Sequence, residues 1–378
     1  MLFPFLFHKK LIIMPLKTFL IMISTLHMIS VGNSENSPAA PALYVFGDSL
    51  FDSGNNNLLP TLAKANFPPY GMNFERGATG RFTNGRTVVD FIAEFLGLPH
   101  SPPYLSLIRT LLRSEPLTGL NFASSSCGIL PQTGSALGKC LNLAEQIGLF
   151  ERAVKQDISR HFKTAGELSN YLSKSVFVIS IGSNDYINNY LDTQRFDTSK
   201  RYSPLSFARL LMNNFSQQLE RLYYLGARKV IIFEIGPIGC IPSSTRQVKH
   251  KGQCVDEINQ LASMFNNHLA PMLQNLTFSL RGSAFILGHA HWLGYDAVIN
   301  PSKYGLTDSS NACCVTWMNG TSACIPELGA LACQEPNKHY FWDGYHLTEA
   351  VYKTIATHCF NGSSVCIPKN IKELVSEV

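Results

Sequence analysis

Short apolar runs, regularly interrupted, constrain this chain more than any other feature. ALYVF at residues 42–46, VFVISI at 176–181, KVIIFEI at 229–235 and AFIL at 284–287 are rich in β-branched or aromatic residues, and each ends at a glycine or a turn. Such runs read as buried parallel strands, apolar towards both faces of a sheet. Helical patterns lie between and after them. Residues 87–96 (TVVDFIAEFL) follow the turn Thr83-Asn84-Gly85, residues 206–225 carry apolar side chains at helical spacing until Gly226 stops them, and residues 255–276 and 346–358 are similar. Strands alternating with helices predict a doubly wound, mostly parallel sheet with crossovers of one hand. Chemistry in such a fold belongs at the carboxyl ends of the strands.

Composition agrees with a large core: 45 % of the 378 residues are hydrophobic and only 15 % are charged, too few for a disordered chain. The net charge of +5 is spread without a long Lys/Arg run, which argues against a nucleic-acid partner. No repeat, low-complexity stretch or Pro/Gly/Ser linker divides the chain, so residues 35–378 read as one domain. Residues 55–85 and 313–333 read as long loops over the sheet.

The first residues read as an address. His8, Lys9, Lys10 and Lys17 precede the apolar residues 18–31, which close on Gly32-Asn33-Ser34. A secretory signal peptide over residues 1–34, cleaved at about 32–40, fits this pattern. A membrane anchor fits less well, because the apolar stretch is shorter than the ~20 residues a spanning helix needs, and no later segment could span a bilayer. Met14 opens a shorter, better-shaped signal. The ten cysteines suit an oxidising compartment and pairing as disulfides, with connectivity unreadable from the sequence. Cys313, Cys314, Cys324 and Cys333 crowd one region, yet no C-x-x-C with a distant His-x-x-x-H pair suggests zinc. Sequons at Asn214, Asn275, Asn319 and Asn361 agree with secretion.

Three sites at strand ends carry chemistry-bearing residues. The first strand runs into Gly47-Asp48-Ser49 and then a helix, a turn that exposes a hydroxyl beside free backbone N–H groups. A serine there is also an ordinary helix cap. Asp343-Gly344-Tyr345-His346 can put carboxylate and imidazole on one face of a turn. Asp343 would then orient His346, which would take the Ser49 proton and later return it to a leaving alcohol. The second strand ends in Ser180-Ile181-Gly182-Ser183-Asn184-Asp185, where the Asn184 amide can donate to a developing oxyanion. An Asn fixing its own turn is the plainer reading of that last piece.

VFGDSLFDSGNNN, GLNFASSSCGIL, ISIGSNDYI and FWDGYHLTEA, in that order, resemble the blocks that define GDSL esterases and lipases of the SGNH hydrolase superfamily. GRFTNGRTVVDFIAEFLGL, FEIGPIGCIP and the Cys-Cys loop after Tyr304-Gly305 are similar to the plant branch. The resemblance runs from about Leu43 to Thr354. It implies a flavodoxin-like three-layer α/β/α sandwich acting without metal or other cofactor on small-molecule or lipid acyl esters. Ser49 would be nucleophile and oxyanion donor through its own N–H, Asn184 a second donor, His346 the base and Asp343 its orienting carboxylate. The family's backbone donor falls on Ser125, a serine where glycine is common, with Gly128 as the fallback. Asp52, Gly54, Asn55 and Asn56 would shape the turn around Ser49, and Asp48 and Asp185 would fix loops, Asp185 being the alternative base. Leu347 stands where the family often has Pro, and Cys359 and Cys366 could close a small loop. His289, His291 and Asp296 read as satisfied loop residues rather than a metal site. The activity expected is ester hydrolysis through an acyl-enzyme in a secreted, extracellular protein. Acyl transfer by the same intermediate and a non-catalytic secreted glycoprotein are the alternatives.

Overall fold

The computed structural model describes residues 37–109, 118–316 and 321–377. The signal segment expected over residues 1–34 and the sequon at Asn319 lie outside these residues. Residues 38–378 gather into one compact unit. Its sheet holds five parallel strands, β1 (Leu43–Gly47), β2 (Gly119–Asn121), β3 (Val176–Ser180), β4 (Lys229–Phe233) and β5 (Ala284–Gly288), with Cys366–Ile367 antiparallel on β5 at one edge. The spatial order is Cys366–Ile367, β5, β4, β3, β1, β2. Leu43 pairs with Val176, Val176 with Lys229, and Lys229 with Ala284, so the strands end together and their carboxyl ends form one rim.

Alternation along the strands feeds two cores. Tyr44, Phe46, Phe177, Ile179 and Ile232 face one side; Val45, Val176, Val178, Ile231 and Phe233 face the other. The first core is covered by α2 (Leu143–Gln156), α3 (Pro204–Tyr224) and α4 (Asp256–Ser279), the second by α1 (Val88–Phe95) and α5 (Glu349–Asn361). The result is the three-layer α/β/α sandwich. The helices start where their side chains can take up orphan N–H groups. Asn142 accepts from Glu145 N–H at the head of α2 while Glu145 accepts from Asn142 N–H, and Ser203 caps α3 ahead of Pro204 at its first position.

The structure differs from the sequence reading in several places. The β2 strand and the Cys366–Ile367 edge strand are additional; β2 is three residues long and carries only one apolar side chain, Leu120, so no apolar run announces it. The helix expected from residue 346 starts at Glu349, because the Asp343 carboxylate takes the N–H groups of Tyr345 and His346 into a turn instead. Leu347 therefore precedes the helix and bridges to Phe341, so its replacement of a family Pro does not touch a helix start. After β1 the chain makes a turn and then a single 3-10 turn, Asn55–Leu58, rather than a regular helix.

The two long loops do not simply overlie the sheet. Ala65, Tyr70 and Phe82 from one pack with Cys313, Cys314, Cys324 and Trp342 in a third, smaller core. Disulfides join Cys127–Cys140, Cys240–Cys254, Cys313–Cys333, Cys314–Cys324 and Cys359–Cys366, the last closing the small loop in the tail. Among the described residues no helix is long and apolar enough to cross a membrane.

Candidate active site

The turn that carries Ser49 is fixed by backbone contacts that only a glycine permits. A side chain at Gly47 would start 2.3 Å from the Ser180 carbonyl oxygen, so β1 closes on β3 with nothing between them. Gln146 of α2 clamps the same residue, its amide accepting from Gly47 N–H and donating to the Gly47 carbonyl, both at 2.8 Å. Asp52 gathers the N–H groups of Gly54 and Asn55 at 2.7 Å, and Asn55 donates to the carbonyls of Asn121 and Ala123. The Asn56 amide reaches the carbonyls of Ala63 and Ser125. These contacts brace the turn that presents Ser49.

Ser49 and His346, 297 residues apart, meet on the rim, with Ser49 Oγ 2.8 Å from His346 Nε2. The other ring nitrogen, Nδ1, lies 2.8 and 2.9 Å from the two oxygens of Asp343. A carboxylate can only accept here, so Nδ1 carries the proton and Nε2 presents a lone pair to Ser49. Asp343 is fully buried, and it also accepts from the N–H groups of Tyr345 (2.8 Å) and His346 (2.9 Å) and from the Tyr70 hydroxyl (2.6 Å). Burial alone would push its carboxyl up. His346, Tyr70 and the Tyr345 N–H outweigh burial, and the group is held below its ordinary value, as an anion. Tyr70 in turn accepts from Cys324 N–H at 3.0 Å, which ties the cysteine-rich loop to the carboxylate.

The oxyanion candidates converge less evenly. Ser49 N–H has no partner within the described residues. The Asn184 amide donates one hydrogen to the Cys127 carbonyl at 3.1 Å, and its oxygen accepts from Asn188 at 2.8 Å, which leaves the second N–H for the cavity. Ser125 lines the same cavity, but its N–H points at Asp52 Oδ2, 3.2 Å away. Its neighbour Ser126 has φ 68°, rare for a residue with a side chain, and a buried hydroxyl without a partner. Gly128 has a different reason to be glycine: an added Cβ would sit 2.3 Å from Asp185 Oδ2. Asp185 fixes that loop by accepting from Ile129 N–H, Leu130 N–H and the Thr133 hydroxyl. Burial raises its carboxyl to about 6 and that of Asp48, next to Ser49, to about 7.

The remaining residues singled out in the sequence are occupied elsewhere. His289 Nδ1 bonds Glu234, His291 Nδ1 approaches the Ile235 carbonyl, and Asp296 accepts from Lys303, Tyr304 and Asn300. Among the described residues no group of three or more His, Cys, Asp or Glu side chains could hold a metal ion. Of the sequon asparagines, Asn275 and Asn361 are exposed, while Asn214 is half-buried and donates to the Leu210 carbonyl. The sequence reading did not find Tyr70 or Gln146. Tyr70 carries no spacing signal, since it reaches Asp343 from 273 residues away. Gln146 could have been found as a polar residue on the apolar stripe of a capped helix.

Ser49, His346, Asn184, Ser125 and Ser126 all face one cavity of about 470 Å³ with mostly apolar walls. A hydroxyl and an imidazole backed by a buried carboxylate, with amide donors beside the same cavity, can deprotonate the hydroxyl and stabilise an adjacent oxyanion. Comparison with known proteins points the same way. Residues 43–359 match the sequence model of the family described as GDSL-like lipase/acylhydrolase. GDSL esterase/lipase 7 of Arabidopsis thaliana is 44 % identical over 355 residues, covering 92 % of this chain and 96 % of that protein. Two further GDSL esterase/lipases of Arabidopsis thaliana are 40 % and 38 % identical, over 90 % and 92 % of this chain and 89 % and 94 % of their own lengths.

Proposed function

The chain belongs to the GDSL-like lipase/acylhydrolase family and is a carboxylic ester hydrolase, and from that premise we propose that it acts through an acyl-enzyme on Ser49. The observation that carries this reading is His346, hydrogen-bonded to Ser49 Oγ on one side and to Asp343 on the other. His346 takes the hydroxyl proton as Ser49 attacks the ester carbonyl, and Asp343 stabilises the imidazolium. Ser49 N–H and the free Asn184 N–H bind the oxyanion, with Ser125 as the third donor once its N–H leaves Asp52. Collapse expels the alcohol with the proton from His346, and water then repeats the cycle on the acyl-enzyme. Substrates are small-molecule esters.

Secretion is part of the same proposal. All ten cysteines are paired, as they persist in an oxidising compartment, and the first 34 residues have the pattern of an export signal ahead of a single hydrolase domain. Asn214, Asn275, Asn319 and Asn361 are its glycosylation candidates. Acid-quenching the enzyme during turnover of a p-nitrophenyl ester tests the mechanism. An adduct of one acyl mass on the peptide carrying Ser49 is expected; turnover without an adduct on Ser49 defeats the proposal.

A further inference from the structure

The loop over residues 70–86 is fastened to the chain on both sides of His346. Tyr70 donates to Asp343 before it, the Thr83 hydroxyl donates to the Leu347 carbonyl after it (2.9 Å), and Asn84 Oδ1 accepts from Glu349 N–H (2.8 Å). Between those ties lies Phe82, 3 % exposed, with its ring centre 4.9 Å from that of the His346 ring and its plane tilted 38° to it. Two rings lying side by side in one plane cannot come so close, so these overlap by their faces. Phe82 also meets Tyr70 edge-on at 5.7 Å and stands in the wall of the cavity. The hydrogen bonds that join Ser49, His346 and Asp343 do not themselves call for an aromatic ring there.

An aromatic face carries negative partial charge and attracts a cation within about 6 Å of its centre. In the acyl-enzyme reading, on which this inference rests, a cation appears beside Phe82 when the Ser49 proton moves to His346 Nε2, and it disappears when that proton leaves with the alcohol. We propose that Phe82 is a positioning residue for the hydrolysis: its face fixes the plane of the His346 ring and stabilises the imidazolium. An apolar neighbour also keeps water from the ring, which disfavours the charged form. Leucine would keep that second effect and lose the face, so the exchange isolates what the aromatic ring contributes. Other titratable groups surround the imidazole. Asp343 lies on Nδ1, Tyr345 is on the same turn, Asp48 is within electrostatic reach of the imidazole, and Tyr352 of α5 is within reach of both carboxylates. Weakened support of Asp343 through Tyr70 would raise the pH at which activity falls off on the acid side, whereas loss of the Phe82 face lowers it, so the sign separates the two.

The test is the pH profile of p-nitrophenyl acetate hydrolysis by wild type, Phe82→Leu and Phe82→Tyr. Phe82→Leu should lower kcat about five- to tenfold with KM nearly unchanged, and move the acid limb of kcat/KM down by about 0.5–1 pH unit. Phe82→Tyr keeps the face and should stay close to wild type in both. Should Phe82→Leu not fold, phenylalanines carrying one to five fluorines, placed at position 82, keep the shape and weaken the face stepwise, and kcat and the acid limb should fall with each fluorine. An acid limb that stays in place or moves up in the folded variants, a change confined to KM, or an equal loss in Phe82→Tyr overturns the role and leaves Phe82 a wall of the cavity. Acid-quenching the same samples keeps that failure apart from failure of the mechanism. An acyl adduct on Ser49 leaves the Ser49 mechanism standing whatever Phe82 does, and turnover by wild type without one defeats the acyl-enzyme reading and this role with it.

Discussion

Replacing Tyr70 with Phe removes one oxygen from the buried chain that ends on His346. Tyr70 donates to Asp343 at 2.6 Å and accepts from Cys324 N–H at 3.0 Å, so the change strips a donor from a buried carboxylate and leaves a buried N–H unpaired. A hydrogen bond to a charged group contributes about 1.5–3 kcal/mol, and an orphaned buried donor costs about 1–3 kcal/mol. Stability should therefore fall by about 3 kcal/mol, roughly 4 °C in a chain of this size. Catalysis should change in a different way. Asp343 keeps the N–H groups of Tyr345 and His346 on Oδ1, but Oδ2 is left with the imidazole alone, so the ring is less firmly oriented. A loss of about tenfold in kcat, on the order of 1.4 kcal/mol, is expected with KM nearly unchanged. The Tyr70 hydroxyl helps hold the Asp343 carboxyl below its ordinary value, so without it the carboxylate takes up a proton more readily, and the acid limb of kcat/KM should move to higher pH. Thermal melts and pH profiles of Tyr70→Phe and wild type measure both effects. A variant whose profile superimposes on the wild type after scaling would show that Tyr70 only fills space, and the orientation argument would be wrong.

Further outcomes follow from the same contacts. Asn184→Ala should lower kcat by about 10²–10³ with a small change in KM, as loss of one oxyanion donor does; a change confined to KM would remove Asn184 from that role. The Cys127–Cys140 bridge holds the carbonyl that orients Asn184, so Cys127→Ala with Cys140→Ala should cost about 3 kcal/mol in stability and also depress kcat, whereas unaltered kcat in the destabilised protein would deny the link. Burial raises Asp48 from 3.8 to about 7, so the folded chain keeps a proton there that the unfolded chain releases near pH 4. Stability from this group is thus lost as pH rises from about 4 to about 7, on the order of 4 kcal/mol in all. Asp48→Asn should flatten the fall of Tm across that window, and an identical slope in the variant would contradict the assignment.

The fold was legible where local chemistry and tertiary role agree. Val176–Ser180 and Lys229–Phe233 are buried over nearly their whole length, so their apolar runs announce them. The β2 strand is hidden because what it needs is a glycine: a side chain at Gly119 would start 1.9 Å from the Leu43 carbonyl oxygen, and the tripeptide then resembles a loop. The grouping of Ser49, His346 and Asp343 was legible because Asp343 and His346 are close in sequence and Ser49 ends a strand. Tyr70 was not, since its partner is fixed only when two long loops fold together around Trp342. Ser125 shows the opposite failure. Position within a motif identified a donor, but whether its N–H is free depends on where Asp52 comes to rest.

The central claim is that Ser49 is the activated nucleophile, and covalent labelling tests it most directly. A fluorophosphonate probe should react stoichiometrically with the folded protein, and peptide mapping should find the label on Ser49. It should be absent from Ser49→Ala and strongly slowed in His346→Ala. Label on another residue, or none on a folded wild type, would contradict the account.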